Sequence, residues 1–318
     1  MARRQIMDTI KIFFNAIASW FDNTQTKASL DKNDHHIDWW RVIPFVLLHL
    51  ACFAVIWVEW SWFAVLFALA LYLVRMFAIT GFYHRYFAHK AFQTSRAGQF
   101  VFAVLGSTAV QRGPLWWASH HRHHHLSSDE LADTHSPIQH GFLWSHIGWF
   151  LASANFPTKL DRVKELAKFP ELRFLDRFDV IVPILFAIGI FFLGEWLETS
   201  APHLETDGWQ LFVWGFVIST IALYHGTFTV NSLAHVWGKR RYATRDHSRN
   251  NWLIAIITLG EGWHNNHHHY PGAAKQGFYW WEIDFTYYGL KLLAACGLIW
   301  NLRTVPIDIR ESRKENLQ

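Results

Sequence analysis

The chain has 318 residues, 51% of them apolar and 17% aromatic, with only 17% charged and a formal net charge of +4. So little charge over this length argues against a soluble globular protein and for a membrane protein, while a mean hydropathy of +0.05 requires a large polar part beside any spans. Two cysteines argue against a disulfide framework or a thiolate metal site, whereas 21 histidines are an anomaly, because imidazole is the commonest metal ligand.

In chain order, residues 1–41 read as an amphipathic stretch broken by Asp8, Lys11 and Asn15. That suits an interfacial helix and not a cleavable signal peptide. Four stretches, 42–58, 60–79, 180–197 and 211–230, approach the ~20 residues that cross a bilayer as helix. Glu59 separates the first two, and a short acidic stretch with Glu195, Glu198, Glu205 and Asp207 separates the last two, so two helical hairpins are expected. Of the 29 Lys and Arg, six fall in 1–41, eleven in 80–179, eleven in 231–318, and one, Arg75, inside a span. The positive-inside bias then puts both termini and a cap made of 80–179 and 231–318 in the cytosol, and both hairpin tips outside. The expected architecture is an all-α integral membrane protein: one domain over 1–318, with four transmembrane helices and a cytosolic helical cap. Its basic face would attract anionic headgroups.

The shorter apolar runs 99–110, 142–154 and 285–300 fit interfacial or buried helices. Residues 159–177 alternate apolar and charged side chains, as a solvated amphipathic helix would. Cys52 and Cys296 lie in apolar runs and read as core packing, and the 19 tryptophans suit membrane interfaces and large cores.

Three histidine clusters carry the chemistry: His84-Arg-Tyr-Phe-Ala-His89, Ser119-His-His-Arg-His-His-His125 and Gly262-Trp-His-Asn-Asn-His-His-His269, the last preceded by Asn231-Ser-Leu-Ala-His235. Helical positions three and four apart share a face, so His121, His124 and His125 project together, as do His264, His267 and His268, and as do Asn231 and His235. His84 and His89, five apart, share no ideal α-helical face, so the helix is expected to end or bend there. One such histidine alone would more often be a surface or hydrogen-bonded core residue. Three clusters at the same ends of the spans point instead to a site that binds two metals through neutral nitrogen donors, with iron, copper, zinc and nickel all compatible with imidazole. Structural zinc needs only four ligands and usually recruits cysteine, and the HExxH and CxxCH patterns are absent. His35, His36 and His203 read as exposed, His49 and His225 as hydrogen-bonded within spans, and His120, His123 and His269 as pointing away from the shared faces. Arg75 and His225, polar within spans, are also candidates for the substrate path.

The ordered set HxxxxH, HxxHH, HxxHH, with Asn-x-x-x-His before the last box, resembles the membrane fatty-acyl desaturases of the stearoyl-CoA (acyl-CoA delta-9) branch, and 270–284 looks like the bacterial form. The likeness runs from about Thr80 to Thr286 and includes Ser145-His-Ile-Gly-Trp149 and Gly260-Glu-Gly-Trp-His-Asn. It implies a non-haem di-iron centre with His84, His89, His121, His124, His125, His235, His264, His267 and His268 as ligands and Asn231 acting through a water. It also implies O2-dependent insertion of a cis double bond into a saturated acyl chain, often at position 9. Asp133 and Glu261 are plausible acceptors for the outer N–H of coordinated imidazoles, with ordinary surface carboxylates as the alternative. Arg112, Tyr72 and Trp117 are candidate substrate contacts: Arg112 for a carboxylate or phosphate, Tyr72 as a limit on chain length.

Ser119 stands where the animal acyl-CoA enzymes have an arginine, and Arg112 where they have an asparagine. Acyl-CoA is therefore the first choice of carrier, with acyl carrier protein, phospholipid or free acid still open. No fused electron-carrier sequence is visible, so a separate ferredoxin, rubredoxin or cytochrome b5 with its reductase is expected; nucleic acid is not an expected partner. A bacterial inner membrane is the expected location. The competing readings are hydroxylation, oxidative decarboxylation to a terminal alkene, or a metal carrier. A carrier would want ionisable groups at mid-membrane, and these clusters lie at the ends of spans.

Overall fold

The computed structural model describes residues 17–25, 35–312 and 314, so most of the expected N-terminal amphipathic stretch lies outside the described residues. Four helices are long and apolar enough to cross a membrane: Trp39–Ile56, Trp62–Ala88, Ile181–Ser200 and Gly208–Val236. Around their ends lie α1 (Arg96–Ser107), α2 (Pro114–Ser127), α3 (Pro170–Arg177), α4 (Trp252–Ile257), α5 (His264–His269) and α6 (Phe285–Ala295). The only two-stranded pairing among the described residues joins β1 (Gln93–Thr94) antiparallel to β2 (Ile299–Trp300). The apolar runs near 99–110 and 285–300 thus supply α1 and α6, and neither has the length of a span.

The second and fourth spans, at 27 and 29 residues, are longer than hydropathy alone suggests. Their extra length runs beyond the apolar core and carries His84 and His235. At the opposite end, by the hairpin tips, Ser61 caps the second span by accepting from Ala64 N–H, and its hydroxyl donates to Gln210 Oε1 of the fourth at 2.8 Å. Asp207 caps the fourth span through Gln210 N–H. The first span packs least, with Val42 the one buried residue in its Trp39–Leu50 helix, and its outward Phe53, Trp57 and Leu47 suit lipid.

Two expectations fail. Residues 159–177 do not form one amphipathic helix: Leu160–Arg162 is a single 3-10 turn and regular helix begins only at Pro170. Proline lacks the N–H that an earlier turn would need, and it holds Phe169 in an extended conformation. Cys296 is exposed at the end of α6 and not packed in a core, whereas Cys52 is half-buried.

Gly113 and Pro114 start α2, and Asp176 of α3 satisfies its first turn, accepting Trp116 N–H at 2.7 Å and the Thr158 hydroxyl at 2.7 Å. Burial pushes the Asp176 carboxyl up to about 6. A folded pKa above the unfolded value favours the fold in acid, and that contribution is lost as pH rises through about 6. A rise of about two units corresponds to roughly 3 kcal/mol. Asp176→Asn is therefore expected to match the parent Tm only below the unfolded carboxyl pKa, at about pH 3, and to exceed it by several degrees at pH 8, as read by thermal unfolding in detergent.

Candidate metal centre

The second span does not stop at its apolar end. Residues Ala78–Ala88 continue as a π-helix that closes with His89 N–H donating to His84 O at 3.2 Å. A π-helix bonds residues five apart, so the spacing that gives no common face on an α-helix puts His84 and His89 on one side here. Their rings lie 4.8 Å apart. The expected end of the helix does fall at His89, one residue beyond this segment.

The nine histidines implied as ligands converge into two groups, each with the geometry to hold a metal ion: His84, His89, His121, His125 and His267 in one, and His124, His235, His264 and His268 in the other. Each triplet on α2 and α5 straddles both. His121 and His125, one turn apart, face the five-histidine group while His124 faces the other; on α5, His264 and His268 face the four-histidine group and His267 the first. Within the larger group the Nε2 atoms of His89 and His121 lie 2.8 Å apart, those of His125 and His267 2.9 Å, and those of His84 and His267 3.0 Å. In the smaller group His235 Nε2 lies 3.0 Å from His264 Nε2. A neutral imidazole has one N–H and one lone pair, so nitrogens crowded this way cannot all satisfy one another. Burial pushes His89, His121, His125, His264 and His267 well below the ordinary histidine range, which leaves them neutral and available as donors.

Carboxylates orient the rings from behind. His84 Nδ1 donates to Glu261 at 2.5 Å, His124 Nδ1 to Asp133 at 2.9 Å, His235 Nδ1 to Asp129 at 2.8 Å and His268 Nδ1 to Asp246 at 2.9 Å. All four carboxylates are buried or nearly so. Burial would raise each carboxyl, but the paired imidazoles hold Asp129, Asp133 and Asp246, and His84 and Arg85 hold Glu261, below the usual carboxylate range. An N–H committed on Nδ1 fixes the tautomer and aims the Nε2 lone pair at the centre. His268 Nε2 is buried with no hydrogen-bond partner. The donor set therefore fits two metal ions: five and four aimed nitrogens exceed one structural zinc site, and no thiolate is present in either group.

Asp133 and Glu261 are among the residues expected from the sequence to orient rings, and they are buried, not surface carboxylates. Asp129 and Asp246 are found only in the structure. Arg85 braces this layer, paired with Glu261 at 3.1 Å and with Asp284 at 2.9 Å. The backbone before Glu261 passes so close that a Cβ on Gly260, at φ +132°, would meet Asp284 Oδ1 at 2.5 Å. His135 and Asp133 form a further potential donor group with His124, but Asp133 is already engaged by His124 and by the Asp129 and His135 N–H groups.

A cavity of about 1000 Å³ opens onto the metal centre, and Trp117, Arg112 and Asn231 all line it. The Trp117 ring stacks on His121 with centroids 5.0 Å apart. Arg112 is bound by the protein itself, by Asp179 at 3.1 Å, Phe156 O at 2.9 Å and Asn23 Oδ1 at 3.1 Å. Tyr72 does not line the cavity: its hydroxyl donates to Ile257 O at 2.5 Å, and Met76, one turn on, lines it together with Ile79, Thr80 and His84 of the same span. Arg75 is buried among Thr108 O, Thr220 and Ser219 and lies off the cavity wall.

Among the other histidines, His49 Nδ1 bonds Phe45 O, His120 Nε2 bonds Pro157 O, His269 Nε2 bonds Ile309 O, and His35, His36 and His203 are exposed.

Residues 60–295 match the family model for fatty acid desaturases. The chain belongs to the fatty acid desaturase family. It is 36% identical over 270 residues to an sn-1 stearoyl-lipid 9-desaturase of Anabaena variabilis, covering 84% of this chain and 94% of that one. It is 34% identical over 273 residues to an sn-2 palmitoyl-lipid 9-desaturase of Nostoc sp. (strain 36), covering 84% and 90%. An acyl-CoA C20 delta-5 desaturase of Anemone leveillei is 38% identical over 270 residues, covering 84% and 81%. A desaturase-type oxidoreductase with histidine clusters consistent with a di-iron site therefore unites fold, site and family.

Proposed function

We propose that this chain removes two hydrogens from adjacent methylenes of a saturated acyl chain, giving a cis double bond, with position 9 favoured by the lipid 9-desaturases among its relatives. The observation that carries the reading is the pair of histidine pockets opening on one apolar cavity. His84, His89, His121, His125 and His267 would hold one iron, and His124, His235, His264 and His268 the second, with Asn231 beside the centre in position to act through a water. Two iron ions there would supply the oxidising power from O2 that an unactivated C–H bond demands and that no side-chain acid or base provides.

The protein's share is positioning and dryness. The apolar cavity walls hold the methylene chain and exclude water, Trp117 packs beside His121, and the buried carboxylates fix the rings of His84, His124, His235 and His268 before substrate arrives. Reducing O2 to two waters takes four electrons: two leave with the C–H hydrogens and two come from an external donor such as ferredoxin, rubredoxin or cytochrome b5. The positive-inside bias puts this chemistry, and both termini, on the cytosolic face of a bacterial inner membrane.

The carrier follows from where the cavity opens. Its wall includes Leu47 of the first span and Ile188 and Phe192 of the third, all substantially exposed on their spans' lipid-facing sides. That favours an acyl chain arriving within the bilayer, as part of a membrane lipid, over acyl-CoA delivered from water. Arg41, Arg112 and Asp179 line the cavity together; Arg112 is paired to Asp179, and Arg41 gives an anionic headgroup a cationic contact.

Gas chromatography with mass spectrometry of total lipids from cells expressing the intact chain tests this reading. A new monounsaturated acyl chain, recovered first in glycerolipid, is expected. A hydroxylated acid or terminal alkene would replace desaturation with another oxidation on the same scaffold. Purified protein acting on acyl-CoA and not on acyl lipid would overturn the choice of carrier.

A further inference from the structure

The Ser145-His146 pair has no part in the ligand set, yet it is fastened to the one break in the fourth span. There the helix Ser219–Asn231 ends and the turn Leu233–Val236, which carries His235, begins. A helix end leaves carbonyls without partners, and this one is buried beside the metal centre. Ser145 donates its hydroxyl to Asn231 O at 2.9 Å. His146 Nδ1 lies 2.9 Å from Ser232 Oγ, and the Ser232 hydroxyl donates to Phe228 O at 2.8 Å.

One arrangement of protons uses all of these contacts: the Ser232 hydroxyl donates to Phe228 O while its oxygen accepts from His146 Nδ1–H. The other nitrogen of a neutral His146 ring then carries a lone pair, which receives the Nδ1–H of His225 at 3.1 Å. The His146 ring is also flanked by Phe142 and by His225, stacked at 5.6 Å and 5.3 Å between centroids. The half-buried segment Trp144–Gly148 is thereby tied by directed bonds to both residues at the break. On one side of that break Asn231 faces the cavity; on the other, His235 enters the four-histidine pocket.

We propose that Ser145 and His146 are positioning residues that set the four-histidine pocket through the Asn231–Ser232 break and leave the five-histidine pocket untouched. None of the five histidines of that second pocket stands on the segment the pair holds. The proposal rests on the two-metal reading above.

The test compares the purified, iron-loaded full chain with His146→Phe, His146→Asn and Ser145→Ala by iron content, Mössbauer spectrum, kcat and KM for the acyl substrate. Wild type is expected to hold two irons. His146→Phe keeps the ring volume but loses the Nδ1–H, and is expected to bind its second iron about tenfold more weakly, the scale seen when a residue behind a metal ligand is lost. Its kcat falls in parallel, with KM within about twofold. His146→Asn, whose amide keeps a donor near Nδ1, restores occupancy, and Ser145→Ala shows an intermediate loss. Should His146→Phe fail to fold, Ser145→Ala and the Asn variant carry the same comparison. Full occupancy and kcat in the variants overturn the proposal, as does equal loss of both irons or a failure of Asn to restore. Wild type without a second iron would instead sink the two-metal reading itself.

Discussion

Replacing His121 with alanine is expected to abolish the unsaturated product while leaving the protein folded. His121 sits at the middle of the five-histidine pocket, its Nε2 2.8 Å from that of His89 and 3.0 Å from that of His125. No neighbouring side chain can replace this nitrogen, because the other four rings are already committed to the same centre. The α2 backbone should tolerate the change, since alanine is the best helix former. Lipid analysis should show product at background, metal content should fall from two ions toward one, and Tm of the metal-free protein should hold within a few degrees. His123→Ala gives the contrast. That ring belongs to neither pocket although it lies in the same run, and its loss should leave product formation within a few-fold of the parent.

The second large effect is expected at a residue that no motif marks. Asp246→Ala should lower activity or affinity for the second metal by about 10–100-fold. Its Oδ2 receives the His268 Nδ1–H at 2.9 Å, and without it the imidazole is free to change tautomer or rotate its lone pair off the centre. Oδ1 also accepts from the Ser248 backbone N–H and from the hydroxyls of Ser248 and Thr244, so the alanine variant loosens the loop as well. Asp246→Asn separates the two effects: the amide oxygen can keep the loop bonds, while an NH2 facing His268 cannot accept its proton. Chelator challenge followed by iron analysis should show both variants losing one ion faster than the parent, with the Asn variant retaining the parent's Tm.

The four spans and the ligand-bearing clusters were legible because each rests on a local pattern: a long apolar run, or imidazoles at helical spacing. The same periodicity misled in two ways. It takes 3.6 residues per turn for granted, and so gave His84 and His89 no common face, when the backbone at 78–88 winds more widely and supplies one. It also read His121, His124 and His125 as one set, although a helix lying between two centres shares its neighbouring positions between them. Asp129 and Asp246 were hidden for a different reason. Each meets its histidine across a long stretch of chain, 106 residues for Asp129 and 22 for Asp246, and nothing in an isolated acidic loop residue announces that partner. Arg112 and Tyr72, placed by resemblance alone, turned out to be held by bonds of their own, to Asp179 and to Ile257 O.

The most direct measurement is iron content with Mössbauer spectroscopy on the purified full-length chain, alongside O2 uptake upon adding reductant and stearoyl lipid. Two non-haem irons per chain, in two nitrogen-rich environments, with substrate-dependent O2 uptake, are expected. A single ion, a redox-inert metal such as zinc at full occupancy, or two irons that consume no O2 with any acyl substrate would contradict it.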